Sequence, residues 1–164
     1  MPAPASRTAD ESRSSVVRLM VPTDANFAGN VFGGVLLAEV DRVAYITATR
    51  HAKTNCVTAS VDRVDFIAPV HVGEVVDFDA ALTCVGHSAM EVWVRIRAEP
   101  LEGGSPNLVA QAYVTMVAVD RDGRPVAVPS LEPTNDEERT RAQEGRARME
   151  ARRRSRSLRE RSRG

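Results

Sequence analysis

Gly34-Val-Leu-Leu-Ala-Glu-Val-Asp-Arg-Val-Ala-Tyr-Ile-Thr-Ala-Thr-Arg-His-Ala52 contains no proline and no glycine after its first residue. Set out at ~100° per residue, Glu39, Arg42 and Arg50 gather in one arc, and Val, Leu, Ala, Ile and Tyr fill most of the rest. A helix apolar over most of its circumference is a buried helix. Residues 34–52 are therefore expected to form a central helix with something wrapped around it.

The wrapping is supplied mostly downstream. In 74–85, Val76, Phe78, Ala80, Leu82 and Cys84 alternate with Asp77, Asp79 and Thr83. In 88–99, Met90, Val92, Val94, Ile96 and Ala98 alternate with Glu91, Trp93, Arg95, Arg97 and Glu99. Period two sustained this long predicts strands. Residues 56–68 and 108–119, rich in Val, Thr, Phe and Tyr, read as two more, and 15–21 as a short first strand ended by Pro22. Gly73, Gly86-His87 and Gly103-Gly104-Ser105-Pro106-Asn107 mark turns, and this hairpin-like spacing implies an antiparallel sheet. The expected fold is α+β, with about five strands curled around one long helix.

The chain ends in different material. Of 22 acidic and 22 basic residues, 7 acids and 11 bases fall in 131–164, so a net charge of zero hides an acidic body and a basic tail. Thr134-Asn135-Asp136-Glu137 resembles a capping box, and Glu137/Arg141, Glu144/Arg148 and Glu150/Arg154 are spaced as i,i+4 pairs. With few apolar residues, 131–164 reads as a charged tail: a solvated helix fading into a disordered basic end. Residues 1–13 read as a flexible N-terminus, leaving 14–130 as the domain. No secretory leader, bilayer-spanning run or metal-ligand spacing stands out, and two unpaired cysteines suit a reducing cytoplasm. The tail's charge run without aromatic residues makes nucleic acid an unexpected partner.

Candidate chemistry lies at the start of the helix. Asp41 falls with Gly34, Leu37, Ala38 and Tyr45, away from the polar arc. A carboxylate on a small apolar stripe needs partners, and such groups are enriched at functional sites. Phe32-Gly33-Gly34 opens the helix, and two glycines leave amides unshielded at the positive end of its dipole, where an acyl-transfer oxyanion would be held. Asn26, in Pro22-Thr-Asp-Ala-Asn, suits either a substrate contact or an Asx-turn. Cys84 and Cys56 read as inert hydrophobes, Cys84 in the inward register.

The stretch Pro22-Thr-Asp-Ala-Asn-Phe-Ala-Gly-Asn-Val-Phe-Gly-Gly-Val-Leu-Leu-Ala-Glu-Val-Asp41 resembles the signature of hotdog-fold acyl-CoA thioesterases of the cytosolic acyl-CoA hydrolase family. Val57-Thr-Ala-Ser-Val-Asp62, Phe66-Ile-Ala-Pro-Val70, Gly86-His-Ser-Ala-Met-Glu-Val92 and Val117-Ala-Val-Asp120 follow in the same order, so the resemblance covers roughly 14–130. It implies a hotdog fold and a homodimer joined edge to edge, or a hexamer built as a trimer of dimers, with active sites at the dimer interface. It implies Asp41 as general base or nucleophile in acyl-CoA hydrolysis, Asn26 as its companion across the interface, and Gly33 and Gly34 as the oxyanion contact. Thr58 and Ser60 would line the pocket, and His87 and Ser88 would lie near the CoA moiety. Family members carry basic residues where His87 stands and near Ala68, so Arg63 or the Arg-rich tail would have to substitute here. No metal or other cofactor is called for. The alternative is an idle hotdog that binds acyl-CoA as a sensor or scaffold. A hydratase would want a histidine near the helix start, and 22–50 contains none.

Overall fold

The computed structural model describes residues 5–161, with side chains described through Leu158. The elements are β1 (Ser14–Leu19), a 3-10 turn (Pro22–Asp24), α1 (Gly33–Ala52), β2 (Cys56–Phe66), β3 (Glu74–Val85), β4 (Ala89–Pro100), β5 (Asn107–Ala118) and α2 (Asp136–Arg161). The five strands make one sheet in the order β1-β3-β4-β5-β2, antiparallel at every pairing. It curls around α1 as the residue pattern predicts. Val40, Val43, Ala44 and Ala48 of α1 are fully buried, as are Phe78, Val92, Val94, Ile96, Val114 and Met116 of the strands, in one continuous core. Lys53 ends α1 in the left-handed region (φ 55°), its N–H bonded to the Thr49 carbonyl.

β1 and β2 are the sheet's two edges. β2 is irregular, with register shifts between Thr58 and Ser60 and between Val61 and Arg63. A third shift separates Leu82 from Cys84 in β3. Each extra residue changes the phase of the alternation. Cys84, expected to face inward, therefore faces outward under α2, where a Cβ placed on Gly145 would come within 2.7 Å of its Cβ.

Three other expectations are corrected. Residues 7–13, expected to be flexible, are held to the body, Arg7 by the segment after β5 and Arg13 by β3; residues 1–4 lie outside the described residues. Arg7 N–H bonds to the Ser130 carbonyl, Glu132 N–H bonds to the Arg7 carbonyl, and Arg13 forms a two-pronged pair with Asp79 (2.8 and 2.7 Å). Burial alone would raise the Asp79 carboxyl, but hydrogen bonds from Arg13 and Arg95 outweigh it and hold the group below the usual aspartate range.

The second concerns the tail, which neither stands free of the sheet nor loses its order through residue 158: one face is covered while the other stays exposed. It forms α2, capped by Asn135 Oδ1 accepting from Glu138 N–H (2.9 Å), while Glu138 returns a carboxylate oxygen to Thr134 N–H (2.7 Å). This cap sits one residue later than the spacing suggested. α2 lies on the outer face of the sheet, with Ala142 buried and Gly145 against Thr83 and Cys84. Its arginines complete the contact: Arg141 stacks over Trp93 (4.4 Å to the ring centre), Arg148 over Tyr113 (4.1 Å), and Arg148 pairs with the fully buried Glu91 (2.8 Å). Long stems cover apolar surface while the charged heads reach acids beneath.

Finally, Glu39, expected on an outward polar arc, is only 5% exposed.

Candidate active site

The open flank of α1 exposes Leu37, Ala38, Asp41 and Tyr45. Asp41 thus lies on an apolar stripe, as its spacing predicts, but one that this single chain leaves uncovered. Beside it runs β2, where Thr58 pairs with the core residue Met116 and so faces inward. Thr58 Oγ1 donates to Asp41 Oδ1 at 2.6 Å and also sits 3.5 Å from Met116 Sδ. The second Asp41 oxygen has no hydrogen-bond partner among the described residues.

The helix N-terminus lies eight residues earlier at Gly33. Phe32, the N-cap, offers no side-chain cap, so first-turn amides remain for an external acceptor. Little room is left around the two glycines. A Cβ on Gly33 would meet the Phe66 ring at 3.4 Å, and one on Gly34 would lie 2.5 Å from the Phe32 ring. An open groove of about 430 Å³ runs beside Gly33, lined by Asn26, Leu36, Phe66, Ile67 and Val70 among others. That volume is enough for a small ligand's apolar part.

Asn26 makes the Asx arrangement: its Oδ1 accepts from Ala28 N–H (2.9 Å) and Asn30 N–H (3.2 Å). Its Nδ2 keeps no hydrogen bond among the described residues. The loop holds Phe27 fully exposed at its tip. The loop is pinned by a network that the residue pattern did not reveal. Arg18 of β1 donates to Asp24 (2.6 Å) and to Glu39 (2.9 Å), Arg42 also donates to Glu39, and Asp24 accepts from Val21 N–H (2.9 Å). Asp24 and Glu39 are buried, each two residues from Asn26 and Asp41 respectively. The available signal was Glu39 itself, a second carboxylate within an apolar helix.

The remaining candidates separate from Asp41. The register shift turns Ser60 to the outer face opposite Thr115, and it donates to Asp62 (2.7 Å). Arg63, exposed on the same strand, pairs with Asp65 (2.9 Å). His87 and Ser88 occupy the β3–β4 turn, where their carbonyls accept from Val128 and Ala118 N–H. Gly86 beside them lies next to Met149 of α2. Burial raises the Cys56 and Cys84 thiols, which keeps both protonated and poor as nucleophiles. Among the described residues, no group of three His, Cys, Asp or Glu is placed to hold a metal ion, and no helix is long and apolar enough to cross a membrane.

A curled antiparallel sheet wrapped around one long helix is the architecture of the hotdog-fold thioesterases. Residues 28–104 match the Thioesterase superfamily. The chain is 38% identical over 138 residues to an uncharacterised acyl-CoA thioester hydrolase of Bacillus subtilis, a match covering 84% of this chain and 80% of that one. Among solved structures, an apo-hexameric acyl-CoA thioesterase superposes with a TM-score of 0.88 at 38% identity, covering 94% of this chain and 99% of the other. The acyl-CoA hydrolase of Staphylococcus aureus, solved with butyryl coenzyme A, coenzyme A and coenzyme A disulfide, gives 0.87 at 35% identity and covers 95% of each chain. That enzyme has also been solved with an Asp, a Thr or an Asn replaced by Ala. The chain spans 39% of the length of the mammalian cytosolic acyl coenzyme A thioester hydrolases it matches. It belongs to the acyl-CoA thioester hydrolases and is a thioester hydrolase.

Proposed function

We propose that this enzyme cleaves fatty acyl-CoA to free acid and CoA, with Asp41 as general base. The observation that carries the mechanism is the 2.6 Å hydrogen bond from Thr58 to Asp41, on a helix whose uncapped amino end borders an open apolar groove. Thr58 occupies one Asp41 oxygen, and the other is free to take a proton from water as that water's oxygen bonds to the thioester carbon. Negative charge then moves onto the carbonyl oxygen, where helix-start amides receive it. Those of Gly33 and Gly34 are supplied by a neighbouring copy, because a chain's own lie about 12 Å along the helix from its Asp41. Collapse of the tetrahedral species breaks the C–S bond. The thiolate leaves with the proton Asp41 had accepted, and Asp41 is ready again.

Asn26, with an unused Nδ2, serves a second copy's site or its substrate. This fits a homo-oligomer in which the exposed β2 edge, the open flank of α1 and Phe27 are covered by another chain. The hexameric relative supports that assembly, the coenzyme A complexes support the substrate class, and the relatives named cytosolic support a cytoplasmic location.

Thiol release measured over acyl-CoAs of increasing length, for wild type and Asp41→Asn, tests the reading. General-base catalysis is worth about 10²–10⁴-fold, so kcat should fall by that factor with KM little changed. Near wild-type turnover by Asp41→Asn would reject the mechanism. Coenzyme A binding with no turnover of any acyl-CoA would favour a sensor instead.

A further inference from the structure

We propose that Arg152 of α2 is a positioning residue for the hydrolysis: it braces the irregular part of β2 from the outer face of the sheet, and so holds Thr58 against Asp41 on the inner face. The proposal rests on the catalytic reading of Asp41.

Thr58 is the last regularly paired residue before the first register shift of β2, and the second shift follows at Val61–Arg63. Such irregularities leave backbone unpaired, so the direction of neighbouring side chains depends on what else holds the strand. β2 is also a sheet edge, paired only with β5 within this chain. What holds it lies on the far face. Arg152 Nη1 donates to Asp62 Oδ2 (2.7 Å), which also accepts from Thr115 Oγ1 of β5 (2.8 Å). Asp62 Oδ1 accepts from Ser60 Oγ (2.7 Å). Ser60, just past the first shift, and Thr115 opposite it thus converge on the carboxylate of Asp62, which lies within the second shift, and one arginine clamps it.

The clamp has a fixed base. Arg152 Nη2 donates to Glu91 Oε2 (3.1 Å), and Glu91 is fully buried, held by Thr83 (2.6 Å) and Arg148 (2.8 Å). The Arg152 side chain is itself 23% exposed, so its charge is partly shielded from water. A line of contacts therefore runs from β3 and β4 through the tail helix to the strand that presents Thr58. This gives the Arg-rich tail, which lies outside the 28–104 superfamily match, a part in the chemistry.

The test is a double-mutant cycle in the full chain, with saturation kinetics on the acyl-CoA that wild type turns over fastest. Small misplacements of a catalytic group lower turnover steeply, so Arg152→Ala should reduce kcat about tenfold with KM within about twofold. Arg152→Lys should recover much of the loss. In a Thr58→Ala background, Arg152→Ala should change kcat by less than about twofold, because the contact it supports is already gone. The same fold-loss in both backgrounds, or an unchanged kcat when Arg152→Ala is made in the otherwise wild-type chain, would overturn the proposal.

Asp62→Asn provides a second variant should Arg152→Ala not fold, with the same expected pattern. Amide exchange across residues 57–62 is read in parallel. Faster exchange there than in α1 is expected for Arg152→Ala, and unchanged exchange would refute the brace even if no acyl-CoA were turned over. Absence of turnover in wild type would instead reject the proposed function.

Discussion

Glu39 and Asp41 stand two positions apart on α1, roughly 200° around the helix, and meet opposite environments. Asp41 was legible because small apolar residues share its side of the helix, a relation contained within a few turns. Glu39 was not, because the cation that permits its burial, Arg18, comes from β1 and 21 residues away. Charge counting on a helical wheel places an acid outward unless a partner from another element is known. Arg18 compensates two buried acids, Asp24 and Glu39, and it ties β1, the Asn26 loop and α1 together. Removing it leaves Asp24 without a cation and Glu39 with Arg42 alone. Stranded buried charges cost several kcal/mol, so Arg18→Met should destabilise the fold by about 3 kcal/mol, the lower end because Arg42 remains. The urea midpoint should fall with an unchanged slope. A midpoint equal to wild type would show that water already solvates these carboxylates.

The elements were legible almost to their ends: β3 spans the predicted 74–85, and β4 and β5 differ by one residue at each end. Long unbroken alternation fixes a strand because five alternate residues in ten agree on one face. What alternation cannot reveal is where an extra residue enters, so Cys84 was assigned to the wrong face, and a shift likewise puts Ser60 on the opposite face from Thr58, although the resemblance paired the two. The docking of α2 escaped for another reason: its anchors are the small Ala142 and Gly145 and the stems and guanidinium groups of Arg141, Arg148 and Arg152. An apolar count does not see these. This mode of docking has a pH consequence. Burial alone would raise the Glu91 carboxyl, but hydrogen bonds from Arg148, Thr83 and Arg152 outweigh it and hold the group below its ordinary 4.5. A carboxyl lowered in the fold contributes stability that is complete above the unfolded value and is lost as pH falls through the folded one. Asp79, lowered chiefly by Arg13 and Arg95, adds a contribution of the same sign. The attachment of α2 should therefore weaken below about pH 4.5. Trp93, the chain's single tryptophan, lies between Arg95 and Arg141 and reports it. During acid titration its emission should shift before far-UV ellipticity is lost. Coincident transitions would mean that α2 and the sheet come apart together.

At the scale of the whole molecule, the acidic body and the basic tail, which sum to zero, prove to be partners. Arg148 and Arg152 meet Glu91 and Asp62, while the outward Arg153 and Arg154 are shared with Glu150 of their own helix. Much of the tail's charge is thus engaged within the fold before any ligand arrives. The apolar surface is not balanced in the same way. Val57, Val61 and Phe66 on the β2 edge, Leu37 and Tyr45 on α1, and the loop residue Phe27 are all exposed in the single chain. A long edge strand bearing such residues invites pairing with another chain. The residue pattern alone could not show this, since period two reports which residues share a face and not which strand lies at the edge. The proposed site depends on the same edge, because Asp41 and Thr58 lie along it and Asn26 has no contact with them inside one chain. A charge placed there should therefore remove assembly and activity together. Val61→Arg is the direct test: sedimentation should give the mass of a single chain where wild type gives a multiple, far-UV ellipticity should be retained, and kcat should fall at least about tenfold, the scale expected when a positioning contact is lost. A variant that sediments as wild type, or one that becomes a single chain and keeps full turnover, would separate the site from the edge and place its remaining groups within one copy.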